Sequence, residues 1–464
     1  MEQHIEAGTP LDTLTRLLDK LNNRGNELKR YGDYYEGRHR LAFSSQKFRN
    51  AFGGMFSAFA DNWCPLVVDA VEERLNVEGF RHGIDPKADA DAWDIWQKNG
   101  LDAKSQLAHT QALIYGDAFV IVWGDQDGEP IVSVESANNI IVEYAPNDRT
   151  KRTAAIKRWD ADGGTYCTLF LPNAVFKFFR TKNGAFANTW QPANAAGEPF
   201  PLPNPLGVVP VVPLINRPSL TSDHGISEFA SVIPQQDAAN KLLADLLVAS
   251  EFIAFPQRYV TGLEIPTDDQ GNAIAPFEIS MDKLLIAENP DAKFGSLSAG
   301  DLNNYVAGIE LLVQHIASQT RTPPHYFYLS GNFPSGDAIK SAETGLVAKS
   351  RRKMRFFGEA WEEVMRLCFA VLGDARADVD NAETIWADPE FRSESELADA
   401  LVKRSSIGVP RQQLWEDAGY SQTQIARFRE MELADSMDSF LKSAPVVPPV
   451  APAPTEVAPA QKVK

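Results

Sequence analysis

Cysteine is scarce: Cys64, Cys167 and Cys368 are the only three in 464 residues, widely separated and with no CxxC pair. That spacing excludes a disulfide framework and a thiolate zinc site. The expectation is three buried reduced thiols, since free cysteine behaves as a small hydrophobe. Long apolar runs are also missing, and nothing approaches the roughly 18 to 20 residues that span a bilayer. The start, MEQHIEAGTPLD, lacks the basic-then-apolar order of a signal peptide. A protein made and kept in a cytoplasm is expected, with no membrane partner.

Histidine pairing is absent too. His4, His39, His82, His109, His224, His315 and His325 form no HxxxH or HExxH, so no metal site is expected. His315 reads as a packed or capping side chain. His325, beside Tyr326, Phe327 and Tyr328, reads as a loop anchor in a core. Positive charge is in deficit, with 45 Lys and Arg against 62 Asp and Glu, a net charge of −17. Tight wrapping of nucleic acid needs cations on phosphates, whereas an acidic surface lets DNA slide past without sticking. Screening confines that effect to about 8 Å at physiological salt.

Two catalytic motifs fail on inspection. GNFPSG, residues 331–336, has phosphate-loop glycine spacing, but Asp337 stands where the lysine belongs and Lys340 comes three residues late. SLSAG around Ser298 has Ser296 in place of the first glycine of a nucleophile elbow, and a helix cap is the better reading. No cofactor site is expected.

What is present is an alternation of helical and strand periods. Thr9, Pro10 and Asp12 start a helix carrying Leu11, Leu14, Leu17, Leu18, Leu21 and Leu28 as a stripe. Helical patterns recur at 62–75 and 90–115, so the first hundred residues are expected to be mainly α. From Ala118 the period shortens, with AFVIVW, PIVSVE, NIIVEY, TAAIKRW, TYCTLFL and AVFKFFR separated by turns, which predicts one antiparallel meander. The proline-rich stretch 191–214 should be ordered extended chain, because its valines and leucines need cover.

Helix returns near Pro234, with Ala239, Leu242, Leu243, Leu246, Leu247 and Ile253 on one side. QRYVTG and KLLIAE then flank the loop PTDDQGN. Tyr305, Ile309, Leu312, Val313 and Ile316 mark a second helix, which Pro323 and Pro324 stop. After SGNFPSGD, residues 330–337, Ser335 or Asp337 can cap a helix of about 35 residues, or about 50 Å. Its buried side should hold Ile339, Ala342, Leu346, Phe356, Phe357, Trp361, Val364, Met365, Cys368 and Leu372. Lys349, Arg351, Arg352, Lys353 and Arg355 form the one dense basic cluster. Its plain reading is a solvated or salt-bridged helix face; its functional reading is contact with phosphate or with an acidic neighbouring subunit. A last helical region spans about 393–441, and a Pro, Ala and Val tail follows that composition expects to be disordered.

RYGDYYEGRHRL at 30–41, NWCPLVVDAVEERL at 62–75, HGISEF at 224–229 and the long phrase at 386–427 beginning WADPEFRSESEL carry a family likeness. With them the chain resembles the portal proteins of tailed double-stranded-DNA bacteriophages, particularly those of actinobacterial hosts, over nearly its whole length to about residue 440. The resemblance implies an α+β portal fold that assembles, usually as twelve copies, into a ring around a DNA channel at one capsid vertex. It implies a wing at 1–225, helical to about 117 and antiparallel β from about 118. A first stem helix would lie at 226–254, a small α/β clip at 255–296, and a second stem helix at 297–325. The tunnel loop would follow at 326–337, then the long helix and wing return at 338–386, the crown at 387–442 and the tail at 443–464.

The same resemblance assigns Tyr328, Leu329, Ser330, Gly331, Asn332, Phe333, Pro334 and Ser335 to a DNA-channel loop. It assigns Pro266, Thr267, Asp268, Asp269, Gln270 and Asn272 to a face that meets the terminase large subunit and later a head-completion adaptor. Capsid and scaffolding proteins would meet the wing, double-stranded DNA would pass without sequence preference, and the protein would end in the virion after assembly in host cytoplasm. No enzymatic activity is expected of the chain itself. The alternatives are a metal-dependent nuclease of phage origin, which needs clustered carboxylates that the scattered acids do not supply, and a different head-tail connector, which would generally be shorter.

Overall fold

The computed structural model describes residues 8–42, 61–82, 88–161, 163–182, 189–193, 197–254, 258–262, 269–270, 290–296, 300–327, 336–390, 394–420 and 422–443. These fall into two compact units that divide after Phe391. Ser298, Ser335, the KLLIAE run and the tail beyond Ser443 lie outside the described residues. No helix among the described residues is long and apolar enough to cross a membrane.

The first unit opens with α1, Pro10–Tyr35, whose Thr9 hydroxyl accepts from the Asp12 amide at 3.3 Å. Its stripe Leu14, Leu17, Leu18 and Leu21 is buried as the spacing requires. Next come α2, Cys64–Glu72, and strand β1, Val77–His82. The expected helix over 90–115 is two helices, α3 (Ala90–Lys98) and α4 (Leu101–Tyr115). Gly100 breaks them by taking the left-handed φ of 63°, which costs glycine nothing. Asn99 pins the corner, donating to the carbonyls of Ile95 and Pro130 and accepting from the Val132 amide.

The β region is two sheets, not one meander. Strands β2 (Asp117–Gly124) and β3 (Pro130–Ser136) form a hairpin. Strands β4 (Ile140–Ala145), β5 (Asp148–Ala161), β6 (Gly164–Phe170) and β7 (Ala174–Thr181) form the meander proper. Short strands β8 (Gln191–Pro192) and β9 (Leu202–Pro203) both add to β7. The proline-rich stretch ends in β10, Val211–Ile215, which pairs with β2 from the other side. That placement leaves β2 central and buried over its first six residues. The meander carries α1 on one face, where the helix leucines meet Ile141, Ile156, Cys167, Leu169 and Phe178.

Helix α5, Ile233–Ala254, follows a single 3₁₀ turn. Strands β11 (Arg258–Thr261) and β12 (Lys293–Ser296) pair antiparallel, and α6, Asn303–Thr320, returns alongside α5. Gly308 of α6 lies so close to Leu242 of α5 that a Cβ there would come within 3.1 Å of the leucine. The long helix α7, Gly336–Leu372, runs 37 residues. Its buried face holds Leu346, Phe357, Trp361, Val364, Met365 and Cys368, but Ala342, Phe356 and Leu372 are exposed. Glu343, Ser350 and Lys353 are buried on it instead, because polar partners wait there. After α7, strand β13, Ala382–Trp386, pairs antiparallel with β1, more than three hundred residues away in sequence. The first hundred residues therefore contribute a strand that a mainly α expectation omitted.

The core of this unit is aromatic. Trp96 and Trp361 meet edge to face at 5.0 Å between ring centroids, with Phe80, Phe357 and Phe369 buried around them. Cys64, Cys167 and Cys368 are all free and buried, and burial pushes each thiol up to about 12.

The second unit is helical: α8 (Glu394–Ser406), α9 (Arg411–Asp417) and α10 (Gln422–Ser443). Phe428 of α10 packs against Trp415 and, edge on, against Tyr420.

Candidate functional site

The phrase HGISEF is built into a backbone crossing. Gly116, at φ 88°, and Gly225 come so close that a Cβ on Gly225 would lie 2.1 Å from the Gly116 carbonyl oxygen. The Asn216 amide donates to that same carbonyl at 2.8 Å, and the Ile226 amide to the Asn216 carbonyl at 3.0 Å. Buried Asp117 completes the anchor. It accepts from the Gly225 amide at 2.7 Å, pairs with Arg24 at 2.9 Å and faces His224 at 3.2 Å.

Glu228, in the same phrase, faces the middle of α7. Its carboxylate meets Lys353 at 2.6 Å and Lys349 at 3.4 Å, and accepts from the Asn216 side-chain Nδ2 at 3.2 Å. Lys353 also donates to the Asn216 side-chain oxygen, and Lys349 to the Thr320 carbonyl at 2.6 Å, at the end of α6. Burial pushes the Glu228 carboxyl up, but Lys353 and Lys349 outweigh it and hold the group below the usual range. Burial lowers the Lys349 ammonium to about 8 against the pull of Glu228, and lowers Lys353 in the same direction.

These groups floor a cavity of about 500 Å³ that Arg217, Arg321, Arg352 and Phe356 also line. Arg217 and Arg321 are the two non-glycine residues of positive φ, at 52° and 55°, among the described residues. Left-handed backbone at a residue with a Cβ costs about 1 kcal/mol or more. Arg321 occupies the helix cap where glycine is the usual choice: its amide donates to the Ala317 and Ser318 carbonyls and ends α6.

The sequence-predicted basic cluster therefore divides. Lys353 is buried and Lys349 half-buried, and the two share the one Glu228 carboxylate. Arg351 reaches Asp388 at 3.5 Å, Arg352 stacks on Phe356, and Arg355 is exposed. Asp269 and Gln270 are exposed; Pro266, Thr267, Asp268 and Asn272, and the whole of 328–335, lie outside the described residues. His325 is half-buried, 3.5 Å from Glu343, whereas His315 is exposed on α6 rather than packed. Arg217, Glu228 and Arg321 were not singled out from sequence as site residues. Glu228 sat inside a quoted phrase, and an arginine before Pro218 or at a helix end gives no signal of its backbone conformation.

The phrases at 30–41 and 62–75 meet at the start of α5. The Tyr34 hydroxyl donates to Asp237 at 2.6 Å, His39 lies 2.9 Å from the Asn240 amide, and Gln236 accepts from the Trp63 amide at 2.9 Å. Buried polar groups on α5 thus lock two distant segments that share no periodicity with it.

A model of the family described as phage portal protein, SPP1 Gp6-like, matches residues 14–436. The chain belongs to that portal protein family. The portal protein of Mycobacterium phage D29 is 32% identical over 394 residues, 81% of this chain and 78% of the relative. The portal protein of Mycobacterium phage L5 is 32% identical over 416 residues, 84% of this chain and 83% of the relative. Among solved structures, the neck of a native gene transfer agent particle computed with C12 symmetry aligns at a TM-score of 0.45 and 10% identity. That alignment covers 85% of this chain and 98% of the other. Within this portal-family chain, the match takes in the crossing, the Glu228 cluster and all of α5 to α7.

Proposed function

We propose that this portal-family protein assembles as a ring, of twelve copies, at one capsid vertex and forms the conduit through which double-stranded DNA enters and leaves the head. The observation that carries the reading is the α5, β11, β12, α6 excursion. Leu247, Val306 and Leu311 lie 38%, 43% and 53% exposed on its two helices, and Tyr259 and Phe294 are exposed on its strand pair. Apolar side chains on paired helices find cover when the same pair from a neighbouring copy packs beside them, and a head-to-tail contact of that kind closes into a ring. In this reading α5 and α6 are the stem and the segment between them is the clip.

The clip, with Pro266, Thr267, Asp268, Asp269, Gln270 and Asn272, is the face for the terminase large subunit and then for the adaptor. The segment 328–335 is the loop that touches DNA, and the acidic net charge keeps passage non-adhesive. The wing meets capsid and scaffold, and the mature location is the virion vertex. Motor chemistry belongs to the terminase, which is consistent with a phosphate loop that lacks its lysine. Asp337→Lys or Ser335→Arg should then slow packaging or ejection, while charge reversal at Asp268 and Asp269 should weaken terminase docking. Unchanged packaged-DNA yield, ejection rate and terminase binding would count against those assignments. The ring reading is tested by co-assembling a tagged chain with the phage head proteins and imaging the heads. Tag density at a single vertex supports it; tag on every vertex or on none overturns it.

A further inference from the structure

We propose that the cavity over Glu228 is a binding site for a phosphate group. It is strongly basic in a chain whose net charge is −17. Lys349 and Lys353 share one carboxylate, Glu228, and Arg217, Arg321 and Arg352 line the same space with no carboxylate partner among the described residues. Five cations thus face one acid.

Two features separate this cluster from a solvated helix face. The cations come from three places in the chain, the turn after β10, the end of α6 and the middle of α7, and they converge on one cavity. Two of the arginines sit on left-handed backbone, where glycine would carry no strain. Strain of that kind persists where the surrounding structure over-determines it, and it gathers at ligand sites.

The chemistry favours phosphate over a lone carboxylate. Guanidinium forks donate paired hydrogen bonds to phosphate oxygens, and two negative charges, on free phosphate or on adjacent phosphodiesters, offset more of the surplus than the one charge of a carboxylate. A cavity of about 500 Å³ also has room for a phosphate with its attached groups, since each water displaced accounts for only about 30 Å³. The source is either a phosphodiester of DNA or free phosphate, and the site stands whether or not the chain forms a ring.

The test uses the full chain and the variant R217G/R321G, which removes two cations and places glycine where the backbone favours it. Calorimetric titration with pyrophosphate, and fluorescence anisotropy with a short DNA duplex, read the site in both proteins. The wild type should bind pyrophosphate saturably. The variant should keep or raise its melting temperature and bind at least about tenfold more weakly, since hydrogen bonds to charged groups are the stronger class. If duplex competes with pyrophosphate in the wild type and not in the variant, the ligand is the DNA backbone; if only pyrophosphate binds, it is free phosphate, and either result supports the site. No pyrophosphate binding by the wild type, or equal binding by the variant, overturns it. So does self-association that R217G/R321G abolishes without any phosphate binding, which would assign the cations to carboxylates of a second copy.

Discussion

Trp361 donates its indole N–H to Nε2 of His109 at 2.9 Å inside the main core. The imidazole must therefore be neutral there, and its burial lowers the group from 6.5 to about 3. A folded-state value depressed below the unfolded one means that only the unfolded chain takes up the proton between those limits. Stability present above about pH 6.5 is lost as pH falls, by up to about 1.4 kcal/mol per pH unit. Urea unfolding at pH 7.5, 6.0 and 5.0 should show that decline, and it should be shallower in His109→Gln. Equal slopes in both proteins would contradict the assignment.

Gly225 has no room for a side chain. Its Cβ would meet the Gly116 and Asn216 carbonyl oxygens at 2.1 and 2.4 Å, both main-chain atoms that cannot swing aside. Gly225→Ala should cost at least about 2 kcal/mol and loosen the Glu228 segment. A thermal melt within a degree of wild type would refute the crossing.

Glu228 is the one carboxylate paired with two ammoniums, those of buried Lys353 and half-buried Lys349. Glu228→Gln leaves both without a counter-charge, a loss of about 3 to 5 kcal/mol for a buried pair. Adding Lys353→Met should restore part of it, because the second change removes a charge that the first orphaned. A double-mutant cycle read by chemical denaturation should therefore be non-additive; simple additivity would mean that the groups do not interact.

The three thiols should be silent in the folded protein. Burial holds each thiol pKa far above neutral pH, so little thiolate is present and reagent has no access. A thiol-reactive dye should label none in buffer and all three in guanidinium, and reducing agent should leave the melting temperature unchanged. Rapid labelling of any native cysteine would contradict the burial described.

Sequence patterns recovered what local periodicity encodes. The α1 leucine stripe, the strands from Ala118 onward and the long α7 all carry their own repeat, so each was visible without its partner. What depends on distant pairing was not. Strand β1 is six residues long and acquires its identity from β13 at the far end of the unit. The break between α3 and α4 turns on Gly100 and on an Asn99 side chain that reaches β3. Phe356 looked like core and lines the cavity instead, while Lys353, charged and so expected outside, is buried because Glu228 and Asn216 wait for it. The left-handed arginines leave no mark in the sequence, which is why the basic pocket was legible only as a run of charge on one helix.

The most direct test of the account is the native mass of the full chain, purified alone and with the phage head proteins present. The chain should form a closed ring with a central hole and a mass about twelve times the 51.2 kDa of one copy. A monomer or compact dimer under both conditions would contradict it.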